Sequence, residues 1–507
     1  MDESRLPVIV GVGQYVNRSE DPADAREPVD MMAIVARRAE EDARTKGLLE
    51  KVDSVQVVNV LAWRYQDAPS LLVERLGVRP REKLYTTIGG NTPQWLANET
   101  ADRIARGEVG LALIAGAEAI HSVRLARSRG VTLPWTSRFE GTPTMVGDAR
   151  VGFHEIEVKH GAAQPIQVYP LYENALRAAG GWSVEDHRRR LGVLCERLSK
   201  VAEGNPYAWF RGARSAEEIA TPGPGNRMVG FPYTKYMNAI IEVDQAAAFL
   251  MTSAARAREL GIPRDRWVYL WGGADATETW FVSERAAYHY SPAIRWMTER
   301  ALAAASISIE EISCFDLYSC FPSSVQLTRD ALGLAEDDPR PLTVTGGLPY
   351  FGGPGNNYVS HAIATMVEHL REDPSRRGLV TGMGWYFTKH SAGVYGGEPP
   401  PHEWGAPRPV HGESWEAEGE ARVPLAPEPA GTGTVEAYTI MHDRSGRPEL
   451  GIFVGRLEDA DARSGRRFIA NAERDPQALR AMTEREMVGQ RGRVSHDPES
   501  GLNTIVF

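Results

Sequence analysis

Apolar residues follow two different periods along this chain. Pro7–Val12 is a short unbroken run closed by glycine, and from Pro28 to about Lys46 the residues Met31, Met32, Ile34, Val35 and Ala39 return at helical spacing, so the chain opens strand then helix. The runs Val55–Val60 and Leu111–Ala115 bracket a helical stretch, Trp95–Arg106, and this alternation predicts βαβ units around a parallel sheet. The same order recurs roughly 260 residues later, which predicts two similar halves. A helix near Ala293–Ala305 leads to the run Cys314–Cys320, as Met31–Ala43 led to Val55–Val60. GGNTPQW at 89–95 is echoed by GGPGNNY at 352–358, and each opens a helix that ends before another apolar run, Leu111–Ala115 or Gly378–Gly382.

Between the halves lies Ser122 to Tyr236, rich in Arg, Trp, Pro and Tyr, with one helical piece at Val184–Glu203; it reads as an insertion over the site. After about Tyr395 come GGEPPPHEWGAPRPVHGES and APEPAGTG, where prolines break both helix and ladder, so a linker is expected. Short alternating segments follow, TVEAYTIM at 434–441, LGIFVGRL at 450–457, RRFIAN at 466–471, GRVSH at 492–496 and NTIVF at 503–507. A small antiparallel, OB-like barrel is the compact way to pair them. The expected division is 1–121, first half; 122–236, insertion; 237–395, second half; 396–430, linker; 431–507, barrel.

Composition narrows the function classes. A length of 507 residues with 42% hydrophobic and 24% charged content fits a globular chain of several domains. The net charge of −10 argues against a surface that tracks nucleic acid or anionic lipid throughout. Cys195, Cys314 and Cys320 have no paired metal spacing, so neither a zinc site nor a disulfide framework is expected, and a reducing cytoplasm fits. MDESRLPVIVGVG lacks the layout of a signal peptide, and no apolar stretch approaches the roughly 20 residues of a membrane span. The chain holds no P-loop and no complete dinucleotide fingerprint.

The two half-repeats, the insertion and the run RIARGEVGLALIAGAEAI at 103–120 resemble the thiolase superfamily, most closely its sterol-carrier-protein type branch. VDQAAA at 243–248 and NPYAW at 205–209 are similar to further segments of that family, and the resemblance covers about residues 5 to 395. It implies the thiolase fold, α/β with two βαβαβ halves in five layers, here with the barrel appended. It also implies CoA or an acyl-CoA as ligand, no required cofactor, a homodimer, and activity of the acetyl-CoA acetyltransferase kind.

The family's chemical residues do not carry over. Its nucleophilic cysteine, activated at a helix start, falls at Gly90; its Gly-His-Pro turn falls at Gly352-Gly353-Pro354, so Gly353 replaces the histidine; its late cysteine falls at Gly382. Thiolase activity is therefore expected to be absent, which leaves a binder of CoA or acyl-CoA or an acyltransferase of altered mechanism. A backbone oxyanion hole at the glycine turn remains available, and the residues expected at the ligand are Gly89, Gly90, Asn91, Tyr318, Gly352, Gly353, Asn356, Asn357 and His361. Helix capping explains the two asparagines without a ligand. Ser319 and Cys320, in the motif Tyr318-Ser319-Cys320-Phe321, and His390, which with Lys389 could meet a phosphate or thioester oxygen, are the candidates for any remaining catalysis. In the barrel Arg456, Arg466, Arg467 and Arg474 interleave with Phe453 and Phe468 as on single-strand-binding surfaces, but Asp459, Asp461 and Glu473 dilute the charge. Domain docking is the expectation there. The alternative function is a scaffold whose barrel binds a protein or nucleic-acid partner.

Overall fold

Strands form where short apolar runs are cut by glycine and turn residues. The computed structural model describes residues 1–136, 141–405, 415–416, 422–458 and 465–507. The first half contributes β1 (Pro7–Val16), β2 (Ser54–Val57), β3 (Glu82–Thr86) and β4 (Leu111–Ala119). The insertion adds β5 (Thr144–Val146), β6 (Met228–Gly230) and β7 (Tyr233–Thr234) before β8 (Asp244–Ser253) resumes the sheet. The second half holds β9 (Val268–Thr277), β10 (Cys314–Asp316), β11 (Arg377–Gly384) and β12 (Lys389–Gly396), with the two-residue β13 (Trp415–Glu416) beside β9.

The repeat is visible in strand order and direction. The first half runs β3-β2-β4-β8-β1, and the second repeats the last four places as β10-β11-β12-β9. In each, the first pair of those four is parallel and the next two pairs are antiparallel. The halves join where β1 meets β9, antiparallel, through Val8–Tyr269 and Ile9–Val268. Two helices, Thr92–Ala105 and Tyr358–Glu372, lie between the half-sheets and touch strands of both, whereas Pro28–Asp42 and Pro292–Ala305 cover the outer faces. The inner helices are buried on nearly every side, as a central layer requires. The result is five layers, α-β-α-β-α.

The last five strands, β14 (Gly431–His442), β15 (Pro448–Leu457), β16 (Arg467–Ala472), β17 (Arg491–Asp497) and β18 (Leu502–Val506), close into a barrel. Their order is β14-β15-β16-β18-β17 and back to β14, antiparallel except for β16 with β18. Of the residues that resemble a single-strand-binding surface, the two phenylalanines and Arg467 point inward. Phe453 and Phe468 are core residues of the barrel. Arg467 is fully buried, paired to Glu436 at 2.7 Å and donating to the carbonyls of Ser283 and Arg285, so it docks the barrel on the second half. Period-2 alternation places residues on a face but does not say whether that face meets water or a neighbouring domain. Asp459, Asp461 and linker residues 406–414 and 417–421 lie outside the described residues.

The insertion holds more helix than its sequence suggested. Besides Val184–Gly204, a helix spans Pro165–Ala179 with Pro170 inside it, and that proline masked the pattern. This helix packs on β14, and Asn174 Nδ2 donates to Phe231 O at 2.9 Å and Tyr438 O at 2.8 Å. No helix among the described residues is long and apolar enough to cross a membrane.

Candidate functional site

The first glycine turn follows β3. Pro93 starts the helix Thr92–Ala105, and Thr92 Oγ1 donates to Gly89 O at 2.8 Å, which fixes the turn against the helix end. Gly89 N–H donates across the halves to Asn356 Oδ1 at 2.9 Å, and Asn356 Nδ2 reaches Asn59 O at 3.0 Å. Asn357 holds the cap position of the helix Tyr358–Glu372, yet its amide goes to Gly116 O at 2.7 Å and makes no capping bond. Both asparagines therefore clamp one glycine turn to the other half. The amides of Gly90 and Asn91 meet no acceptor among the described residues, so the helix start keeps donors free for a carbonyl oxygen.

Gly90 has no room for a side chain. A Cβ there would sit 2.1 Å from the Tyr318 hydroxyl oxygen and 2.6 Å from Met383 O. At Gly382 a Cβ would meet Asn91 Cα at 2.8 Å, and at Gly384 it would meet Asn91 Oδ1 at 2.5 Å. Gly90, Gly382, Asn91 and Tyr318 thus converge. Gly353 faces elsewhere: its N–H donates to Ile240 O at 2.7 Å, and its surroundings are Ile240, Leu348 and Ala239. The Gly352 Cβ position lies against Gln245, and Gly352 has φ 117°, a value that favours glycine.

The remaining sequence candidates are buried and quiet. Cys320 Sγ lies 3.8 Å from Ser324 Oγ, and burial pushes the thiol up to about 12, the opposite of an activated cysteine. Ser319 Oγ is spent on the N–H of Leu348 at 3.2 Å. His361 contacts Gln14 Oε1 at 2.9 Å and His390 contacts Phe387 O at 3.0 Å; burial lowers each imidazole to about 3, so neither carries charge for a phosphate. His390 and Lys389 do not act together, because neighbours on a strand point to opposite faces.

Lys389, which the sequence offered only as a companion of His390, comes close to the glycine turn. It stands at the start of β12, and its Nζ donates to Ile88 O at 2.6 Å, beside the glycine turn. Asp148 and Arg150 of the insertion, paired at 2.6 Å, lie over it, and Arg150 rests on the Trp280 ring at 3.8 Å. The signal available in sequence was a lone lysine in WYFTKHSAGVYG, a segment otherwise free of charge apart from its histidine. Among the described residues no cluster of three His, Cys, Asp or Glu could hold a metal.

A cavity of about 830 Å³ opens elsewhere, between the helix Pro165–Ala179, Ala286–His289 and the barrel. Its acids, Glu436 and Glu486, are already paired with Arg467 and Arg177, and none of the glycine turns reaches it. The chemistry concentrates at the glycine turns, and that place is the candidate site.

Comparison with known proteins places this geometry. Residues 416–499 match the family described as thiolase-like protein type 1 additional C-terminal domain. A monomeric SCP2-thiolase like protein type 1 from Mycobacterium smegmatis is 35% identical over 100% of both chains, with a TM-score of 0.84. The Ltp2-ChsH2(DUF35) aldolase is 15% identical, covering 77% of this chain and 97% of that one at a TM-score of 0.57. Acetyl-CoA acetyltransferase from Syntrophomonas wolfei is also 15% identical, covering 78% and 100% at 0.55. The last two share the fold alone. No curated protein matches the chain.

Proposed function

This chain belongs to the SCP2-thiolase-like protein type 1 family, and from that premise we propose that it binds CoA or an acyl-CoA in the cleft between its halves without thiolase turnover. The observation that carries the reading is the Tyr318 hydroxyl, which fills the space where the family's nucleophile would have its Cβ. A thioester could still lay its carbonyl oxygen on the free amides of Gly90 and Asn91, since donors aimed at an oxyanion stabilise it without a side chain. Binding and polarisation then survive where acyl transfer to sulfur does not.

Thermal-shift titration with CoA, acetyl-CoA and longer acyl-CoAs tests this, because a ligand at 100 times its Kd adds about 2.7 kcal/mol of stability. A rise in Tm for at least one of them is expected, with no thiolysis of acetoacetyl-CoA. No shift at millimolar concentration with any of these ligands would defeat the reading.

We further propose a monomer in place of the homodimer that family resemblance implied. The family's dimer uses the sheet edge near the nucleophile turn. Here β5 takes that edge, pairing parallel with β3 through Leu84–Thr144, Tyr85–Met145 and Thr86–Val146. The edge left to a second copy is then β5 itself, whose three residues offer far less ladder than β3 would. The Mycobacterium smegmatis neighbour is likewise described as monomeric. The scaffold alternative has less support, since part of the barrel wall is spent on the insertion and the second half.

A further inference from the structure

Lys389 is 7% exposed, and its amine is held by two backbone carbonyls, Ile88 O at 2.6 Å and Asp148 O at 3.4 Å. Among the described residues it makes no ion pair; Asp148, the acid that acts on it, gives its carboxylate to Arg150. A buried ammonium without a counter-ion costs a fold stability, so such a lysine points to reactivity. Asn91 supplies an independent observation. Its Oδ1 is buried without a hydrogen-bond partner, and it and Lys389 Nζ lie 2.7 and 3.1 Å from one point, the Cβ position of Gly89. An amine without a counter-ion and an unused acceptor therefore flank the same turn.

We propose that Lys389 is the nucleophile of the cleft, an amine that condenses with the keto carbonyl of a 3-oxoacyl ligand. The choice of ligand rests on the acyl-CoA reading above. The nitrogen lone pair forms an N–C bond to the keto carbon, and the carbonyl π pair moves to oxygen, which takes a proton. Asn91 Oδ1 accepts a hydrogen bond from the resulting hydroxyl. That hydroxyl takes up the nitrogen's second proton and leaves as water with breaking of the C–O bond, the nitrogen lone pair closes the C=N bond, and an imine remains. The imine draws electrons from the carbon between the two original carbonyls and eases loss of a proton there. No oxidant or reductant is consumed.

The surroundings suit this step. Burial lowers the amine to about 8, with Asp148 opposing the change and Arg150 adding to it; the glycine turn presents Gly89 and β11 presents Gly384, neither charged. Part of the population is then neutral near pH 7.

Pentane-2,4-dione, a diketone that needs no CoA site, tests the lysine directly on the full chain. One enaminone per chain is expected, located at Lys389 by peptide mass mapping, forming at least about ten-fold faster than on surface lysines, with a rate that rises through pH 8. Labelling of Lys389 no faster than surface lysines overturns the proposal, as does an adduct that persists in Lys389→Met. Should that variant fail to fold, the pH dependence in the parent chain decides. Borohydride reduction in the presence of acetoacetyl-CoA is expected to add mass at the same residue. Diketone labelling without that adduct supports the lysine and overturns the choice of ligand.

Discussion

At Gly90 the missing side chain is a packing requirement, because the Tyr318 hydroxyl already stands where a Cβ would go. Gly90→Cys is therefore expected to lower stability by about 1–3 kcal/mol through overpacking, and to leave acetoacetyl-CoA thiolysis at the parent level. Denaturant melts and a thiolysis assay check both, and turnover well above the parent would refute the second. Adding Tyr318→Phe, which removes the clashing hydroxyl and keeps the ring, should recover part of the lost stability. Lys389 makes the opposite prediction. Below pH 8 the amine is charged in both states and the folded state bears the burial cost. Between about 8 and the ordinary value of 10.5 the unfolded chain holds more protons, so stability rises with pH. Lys389→Met should thus stabilise the chain by about 2 kcal/mol at pH 7, an advantage that fades as pH passes 10. Equal advantage at both pH values would mean that packing, not charge, is responsible. In sequence, Gly90 was aligned with the family's nucleophile through the resemblance. That Tyr318 fills its place was not legible there, since the two residues lie far apart in the chain.

Among the elements, the proposed monomer rests on β5, a strand of three residues. Replacing residues 141–148 by a Gly-Ser segment should free the outer edge of β3 and give concentration-dependent association by light scattering, while the parent stays monomeric. A parent that is dimeric at low micromolar concentration would remove the argument. Neither β5 nor the helix Pro165–Ala179 was read from sequence, for different reasons. Three exposed or half-exposed residues carry no periodic signal, and β5 exists because β3 offers a ladder. The helix keeps its place despite Pro170 because its buried face packs on β14, and tertiary contact outweighs the local cost of proline. Strand alternation along β12 was knowable in advance, and it separates Lys389 from His390.

For the whole molecule, the barrel and the thiolase-like body share contacts too costly to break. Arg177 is buried and pairs with Glu486 at 2.8 Å and with the Tyr438 hydroxyl at 3.1 Å, while Asn503 N–H donates to His160 Nε2 at 2.8 Å. A chain ending at Gly396 strips Arg177 of Glu486 and Tyr438 and exposes the face that the barrel covers, and should aggregate or melt without a cooperative transition, whereas the full chain should show one transition by calorimetry. A truncated form that melts as sharply as the parent would show that the barrel is independent. The main strands and helices of the two halves, the two-fold repeat and the appended strands were legible in the sequence alone, because hydrophobic period and glycine placement act locally. Tertiary structure alone decided which polar groups face each other: the clamp of Asn356 on Gly89, the burial of His361 and His390, the docking of Arg467, and the approach of Lys389 to the empty turn. Those facts depend on residues hundreds of positions apart being brought within a few ångströms, and both burial and charge take their values from that environment rather than from the residue.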